Sequence, residues 1–182
     1  MSASSSDGWS PAQRRLHWGV ALLVAAAFAI GLVMVALPLT QLLAKIIAYQ
    51  LHKTIGLLVP PLVLWRLALR ARRGRPAEDA ALPAWQRRAA WLGHAALYAL
   101  LIVVPVLGYL SASTAPGRIE TVMFLLIPIP HLMEPDETTY ETLRAAHQVL
   151  AWSLVTLAAG HAAVAVAHHR RGHRVLARML GR

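Results

Sequence analysis

Residues 143–167 read LRAAHQVLAWSLVTLAAGHAAVAVA. Apart from Arg144 the stretch carries no fixed charge, and as a helix rising 1.5 Å per residue it would be about 37 Å long, enough to cross a hydrocarbon core of about 30 Å. Two histidines lie within it, His147 and His161, fourteen residues apart. That spacing is close to four helical turns and about 21 Å of rise, so the two imidazoles share one face at two depths. Ionisable side chains inside a span are costly and turn toward a bundle interior, which makes this pair the natural place to look for chemistry.

Working outward, three more apolar stretches of spanning length precede this one. The spans are placed at roughly 15–37, 44–70, 88–113 and 139–168, the last opened by a capping box at Thr138-Thr139-Tyr140-Glu141. The expected architecture is all-α: a single membrane four-helix bundle occupying residues 1–182, with no internal repeat and no separate soluble domain. Composition agrees, because 57% hydrophobic and 14% charged residues in 182 leave more apolar surface than a soluble fold of this size can bury. The absence of cysteine excludes disulfides, thiolate metal sites, thioether haem attachment and cysteine nucleophiles. A net charge of +10 does not point to nucleic acid, since the basic residues sit between apolar runs. The first run follows Arg14-Arg15, but it is too long for a signal peptide and lacks a small-residue cleavage site, so it is read as a retained span.

The basic residues set the expected orientation. Arg14 and Arg15 precede span one; Arg70, Arg72, Arg73, Arg75, Arg87 and Arg88 separate spans two and three; Arg170, Arg171, Arg174, Arg178 and Arg182 follow span four. By the positive-inside rule both termini are cytoplasmic. The opposite side holds Lys45, Lys53, Arg118 and Arg144 together with most of the acidic residues, and its only long connection runs from Thr114 to Asp136. The link carrying Pro76 and Pro83 is expected to be tight.

In this topology His52, near the outer end of span two, meets His147, and His17, near the inner end of span one, meets His161. Two opposed imidazoles on neighbouring helices form a bis-histidine axial site for haem, and two such sites would stack across the bilayer. With both axial positions filled, the site suits electron transfer and not oxygen binding. Gly56 and Gly160 are read as making room for a flat macrocycle. Zinc is the rival metal, but the pairs are too far apart to share an ion and two histidines make a poor zinc shell. His94 enters span three from the inner side and competes with His17 for the inner site; its plain role is a hydrogen bond to a propionate or a neighbouring helix. His131 is expected to be solvated or interfacial. His168 and His169 close span four as cations at a helix C-terminus, with contact to a quinone headgroup as the functional alternative. Arg66 is a candidate for pairing with a propionate, with snorkelling as the alternative. Trp18 and Trp152 are read as interfacial anchors and bundle filler.

The residues around these histidines resemble the bacterial cytochrome b561 family, and within it the small dihaem members that pass electrons from superoxide to ubiquinone. The similarity covers all four spans: Arg-Leu-His17-Trp, Leu-His52-Lys53-x-x-Gly56, Leu-Gly-His94 with Pro105-Val-Leu-Gly108, and Ala-His147 with Gly160-His161-Ala-Ala, followed by Ala-His168-His169 and Leu-Ala-Arg-Met179-Leu. The resemblance implies two b-type haems, ubiquinone near His168, and superoxide as a donor drawn to positive surface, for which Lys53, Lys45 and Arg144 are placed. The acidic run from Glu120 to Glu141 departs from that pattern and weakens the case for an anionic substrate. The expected activity is therefore superoxide:ubiquinone oxidoreductase. The alternatives are a relay or anchor joining the quinone pool to a redox protein partner, and a haem-free channel or scaffold using the histidines as proton sites.

Overall fold

The computed structural model describes residues 8–74 and 83–181, so Arg75, Pro76 and Arg182 lie outside the described residues. Four long helices account for most of the chain: α1 (Pro11–Ala36), α2 (Leu42–Arg73), α3 (Ala84–Thr114) and α4 (Glu137–Arg170). All four are long and apolar enough to span a membrane. A single 3-10 turn, Leu39–Gln41, joins α1 to α2, and a six-residue helix α5 (Val175–Leu180) follows α4.

Local chemistry explains the ends. Ser10 and Gln13 form a capping box at the start of α1, with Pro11 at the position where a missing N–H costs nothing. The start of α4 corrects the sequence reading: the cap is Asp136, whose carboxylate accepts from the Thr139 amide at 2.7 Å, two residues before the expected Thr138. The Asp136 amide donates to the Thr114 carbonyl, tying the end of α3 to the start of α4. At the opposite end Gln13 Nε2 donates to the Gly74 carbonyl, joining the start of α1 to the end of α2.

The helices pack as two antiparallel hairpins, α1 with α2 and α3 with α4, which meet mainly through α2 and α3. The core is small: Val20, Val59, Val63, Leu101, Val104 and Leu154. Many large apolar side chains face outward instead, Leu22 and Leu43 at 72% and 73% exposure among them, as expected where the solvent is lipid.

The long connection from α3 to α4 contains more structure than the sequence reading allowed. Strands β1 (Thr121–Met123) and β2 (Ile127–Ile129) form an antiparallel hairpin. Buried Gln50 holds it at both ends of its amide, donating to the Glu120 carbonyl at 2.7 Å and accepting from the Val122 amide at 3.0 Å. Thr54 accepts from the Phe124 amide. The hairpin therefore lies across the end of α2, with Phe124, Leu125 and Leu126 exposed at its tip.

Candidate functional site

The outer pair comes from α2 and α4. The His52 and His147 ring centres are 6.1 Å apart with their planes at 84°. Each ring is held from behind by the neighbouring hairpin helix: His52 Nδ1 donates to the Ala27 carbonyl and His147 Nδ1 to the Val104 carbonyl, both at 2.9 Å. With Nδ1 committed to a carbonyl, the lone pair resides on Nε2, the arrangement that prepares an imidazole to bind a metal. Both rings also press on glycine. A Cβ at Gly31 would stand 3.2 and 3.3 Å from His52 ring atoms, and one at Gly108 only 2.9 and 3.0 Å from His147 ring atoms.

The inner pair comes from α1 and α4, with the His17 and His161 ring centres 6.3 Å apart at 77°. Two metal–nitrogen bonds of about 2 Å, with about 1 Å more from each nitrogen to its ring centre, put two imidazoles sharing one iron about 6 Å apart. Both pairs meet that requirement. His94 stands 5.1 Å from His161, too close for the same bridge, and its Nδ1 donates to the Ala90 carbonyl of its own helix. Neither pair lies where helices pack tightly, for α1 and α4 touch little and α2 and α4 less. A flat macrocycle between two helices needs that separation, so the donor set fits haem; among the described residues no cluster of three or more ligating side chains suggests another metal.

Gly56 and Gly160 do not crowd any neighbour, since a Cβ on either would meet nothing within 4 Å. The glycines that touch the imidazoles are Gly31 and Gly108, which the sequence reading did not single out. A spacing signal was available for them. Gly31 follows His17 by fourteen residues, Arg66 follows His52 by fourteen, Gly108 follows His94 by fourteen and His161 follows His147 by fourteen. Every span thus carries a two-layer pair, glycine–histidine–glycine–histidine in one layer and histidine–arginine–histidine–histidine in the other. The two hairpins thus share a fourteen-residue register at these positions while their sequences diverge.

Arg66 belongs to the inner layer and does not snorkel free; its guanidinium lies over the Tyr98 ring at 5.5 Å, and its charge reaches His17, His94 and His161. His168 packs on His173 at 5.4 Å, and its shielded Nδ1 has no hydrogen-bond partner among the described residues. Lys53 is half-buried and donates to the Ile119 carbonyl at 3.3 Å. The other two cations expected to attract an anion are committed elsewhere: Lys45 donates to the Leu37 carbonyl at the end of α1, and Arg144 is paired with Glu141 at 2.6 Å. His131 is partly exposed, with its ring nitrogens shielded from solvent. Trp18 donates its indole N–H to the Met179 carbonyl, fastening α5 against α1, while Trp152 packs edge-on against Phe28.

Four spanning helices with two facing imidazole pairs, the outer one oriented by backbone carbonyls, define a membrane electron-transfer cytochrome. The profile of the prokaryotic cytochrome b561 family matches residues 8–182, and the chain belongs to that family, whose members bind b-type haem. It is 35% identical over 153 residues to cytochrome b561 homolog 2 of Escherichia coli (strain K12), covering 84% of this chain and 80% of that protein. It is 29% identical over 166 residues to cytochrome b561 homolog 1 of the same organism, covering 88% and 89%.

Proposed function

We propose that this chain is a dihaem cytochrome b of the bacterial inner membrane that takes electrons from superoxide at the loop face and delivers them to ubiquinone at the arginine-rich face, where both termini lie. The observation that carries the reading is the pair of imidazole bridges, 6.1 and 6.3 Å between ring centres, at two depths of one bundle. A haem with two imidazole ligands supplies a one-electron carrier with no open coordination position, suited to outer-sphere transfer. His52 and His147 hold the outer group, and His17 and His161 the inner one. Arg66 supplies a cation at the inner layer for a propionate carboxylate. Lys53 draws the anionic donor toward the outer pair. His168, at the end of α4, contacts the quinone headgroup and exchanges its protons with the cytoplasm. The balance is two superoxide anions oxidised to two dioxygen molecules, with two electrons and two cytoplasmic protons converting ubiquinone to ubiquinol.

A second reading has its own support. With Lys45 and Arg144 committed and the loop acidic, the outer face suits a cationic redox protein as well as a small anion, and the chain then acts as a relay between that protein and the quinone pool. Rapid mixing of the oxidised protein with superoxide separates the two. Fast haem reduction abolished by superoxide dismutase, followed by reoxidation on adding ubiquinone, is the expected result. Haem that superoxide fails to reduce leaves the relay and moves the search to a protein donor.

A further inference from the structure

Residues 121–130, TVMFLLIPIP, form the hairpin between α3 and α4 and carry no charge. A connection lying in water would turn polar side chains outward. Here residues 124–128 are all exposed and all apolar, Leu126 at 82%. Phe124 and Leu125 also hold left-handed backbone, at φ of 54° and 60°, where glycine or asparagine would sit with less strain. Large apolar side chains kept outward in such a turn gain nothing from water.

The bonds to α2 set the depth of the tip. Gln50 holds the start of β1, and Thr54 accepts from the Phe124 amide at 3.2 Å, so the hairpin reaches inward along α2 by about 6 Å over those four residues. His52, between the two contacts, packs on Gly31, five residues before the end of α1. Thr54 and the amide it holds therefore lie about 10 Å inside that end. Backbone at such a depth needs its polar groups satisfied within the protein. The turn meets this demand: besides Phe124, the Leu125 amide donates to the Val122 carbonyl at 3.3 Å and the Leu126 amide to the Met123 carbonyl at 3.1 Å. The edges meet it too. Because Val122 donates its amide to Gln50, the Val122–Pro128 pair is one whose backbone groups face away from the ladder. On β1 those groups meet α2. On the β2 side the outward positions are Pro128 and Pro130, which have no N–H, and the Pro130 carbonyl accepts from the Tyr109 hydroxyl. Proline also guards edges that face water, but charged side chains are the usual guard there, and this edge has none.

We propose that the hairpin tip, Phe124 to Pro128, is a lipid-contact surface that dips into the loop-side leaflet beside α2 and meets acyl chains at the level of the outer pair. The connection is then a re-entrant segment and not a water-side cover. Its water-facing parts are the stretches where charge returns, Arg118 and Glu120 before the hairpin and Glu134, Asp136 and Glu137 after it. This placement depends on the four spans and not on the haem assignment.

The test uses the full haem-loaded chain in lipid nanodiscs holding one copy each. The chain has no cysteine of its own, so Leu126→Cys and Glu134→Cys each present a single thiol, and absorption bands show that each variant has folded. The protein itself shields neither position. A charged maleimide should modify Leu126→Cys at least about tenfold more slowly than Glu134→Cys, because apolar surroundings suppress the reactive thiolate. In the unsubstituted protein, lipids with a photoactivatable group in the acyl chain should label the segment 121–130 in preference to 131–136. Equal maleimide rates, or no acyl-chain label on 121–130, would overturn the lipid contact. Slow modification in native membranes that becomes fast in single-copy nanodiscs overturns it as well, because another polypeptide then covers the tip.

Discussion

At Gly108 one methyl group decides how His147 sits. A Cβ there would come within 2.9 Å of the imidazole, closer than side-chain packing tolerates, whereas at Gly31 the corresponding approach to His52 is 3.2 Å. Overpacking of this kind costs on the order of 1–3 kcal/mol, and here it falls on a ligand's orientation as well as on stability. If the two pairs each hold a haem as proposed, Gly108→Ala is expected to lose about half of the bound haem, the outer share, while Gly31→Ala keeps more of it; haem-to-protein stoichiometry after purification checks the order. Equal loss in both variants would mean that the glycine contacts do not set the ring positions. The ring planes give a second residue-level prediction. On the proposed two-haem reading, imidazole pairs kept at 84° and 77° would be close to perpendicular, and perpendicular ligands give strongly anisotropic low-spin ferric signals in electron paramagnetic resonance, whereas parallel ligands give rhombic ones. Two rhombic signals would show that the imidazoles rotate when the groups bind.

The helix ends carry predictions of their own. The Asp136 carboxylate lies below the ordinary carboxylate range because it accepts from Thr139, so the unfolded chain takes up the proton first. The cap's contribution is present above the ordinary aspartate value, near 3.8, and is lost as pH falls through and below it. Hydrogen exchange at the Thr139 amide should accelerate over that acidic range. Asp136→Asn, which keeps a capping acceptor but no titration, should flatten the dependence. At the other end of the bundle, Ser10→Ala should cost about 1 kcal/mol and fray the first turn of α1, read as faster exchange at the Gln13 amide. These ends also show what a sequence can and cannot reveal. Helix existence and span length followed from apolar runs alone, because lipid imposes them. The cap of α4 did not, since Thr138-Thr139-Tyr140-Glu141 satisfies the capping pattern while Asp136 makes the actual bond. The hairpin was illegible for a different reason: its turn places Phe124 and Leu125 at φ of 54° and 60°, where glycine or asparagine would ordinarily signal the turn. Contacts distant in sequence, from Gln50 and Thr54, hold it there.

Across the whole molecule, the four spans place their functional positions in two layers, and the layers are built differently. The outer one seats two imidazoles from α2 and α4 against glycines on α1 and α3, which leaves one possible bridge. The inner one offers His17 and His94 to a single His161, with Arg66 occupying the fourth position. The choice between them was open in the sequence, because depth along the bilayer is the same for both, and only lateral distance separates 6.3 from 5.1 Å. That difference has a direct consequence. On the proposed two-haem reading, replacing His17 with alanine should remove the inner haem and leave the outer one, while His94→Ala should retain both and shift the inner potential only modestly, through altered packing on His161. The outer group should be indifferent to either change, because the layers lie about 21 Å apart along α4. Potentiometric titration of each variant, followed by its absorption bands, resolves the two groups separately. If His94→Ala loses the inner haem while His17→Ala keeps it, the bridge runs between α3 and α4, and the inner site is assembled within one hairpin instead of between the two.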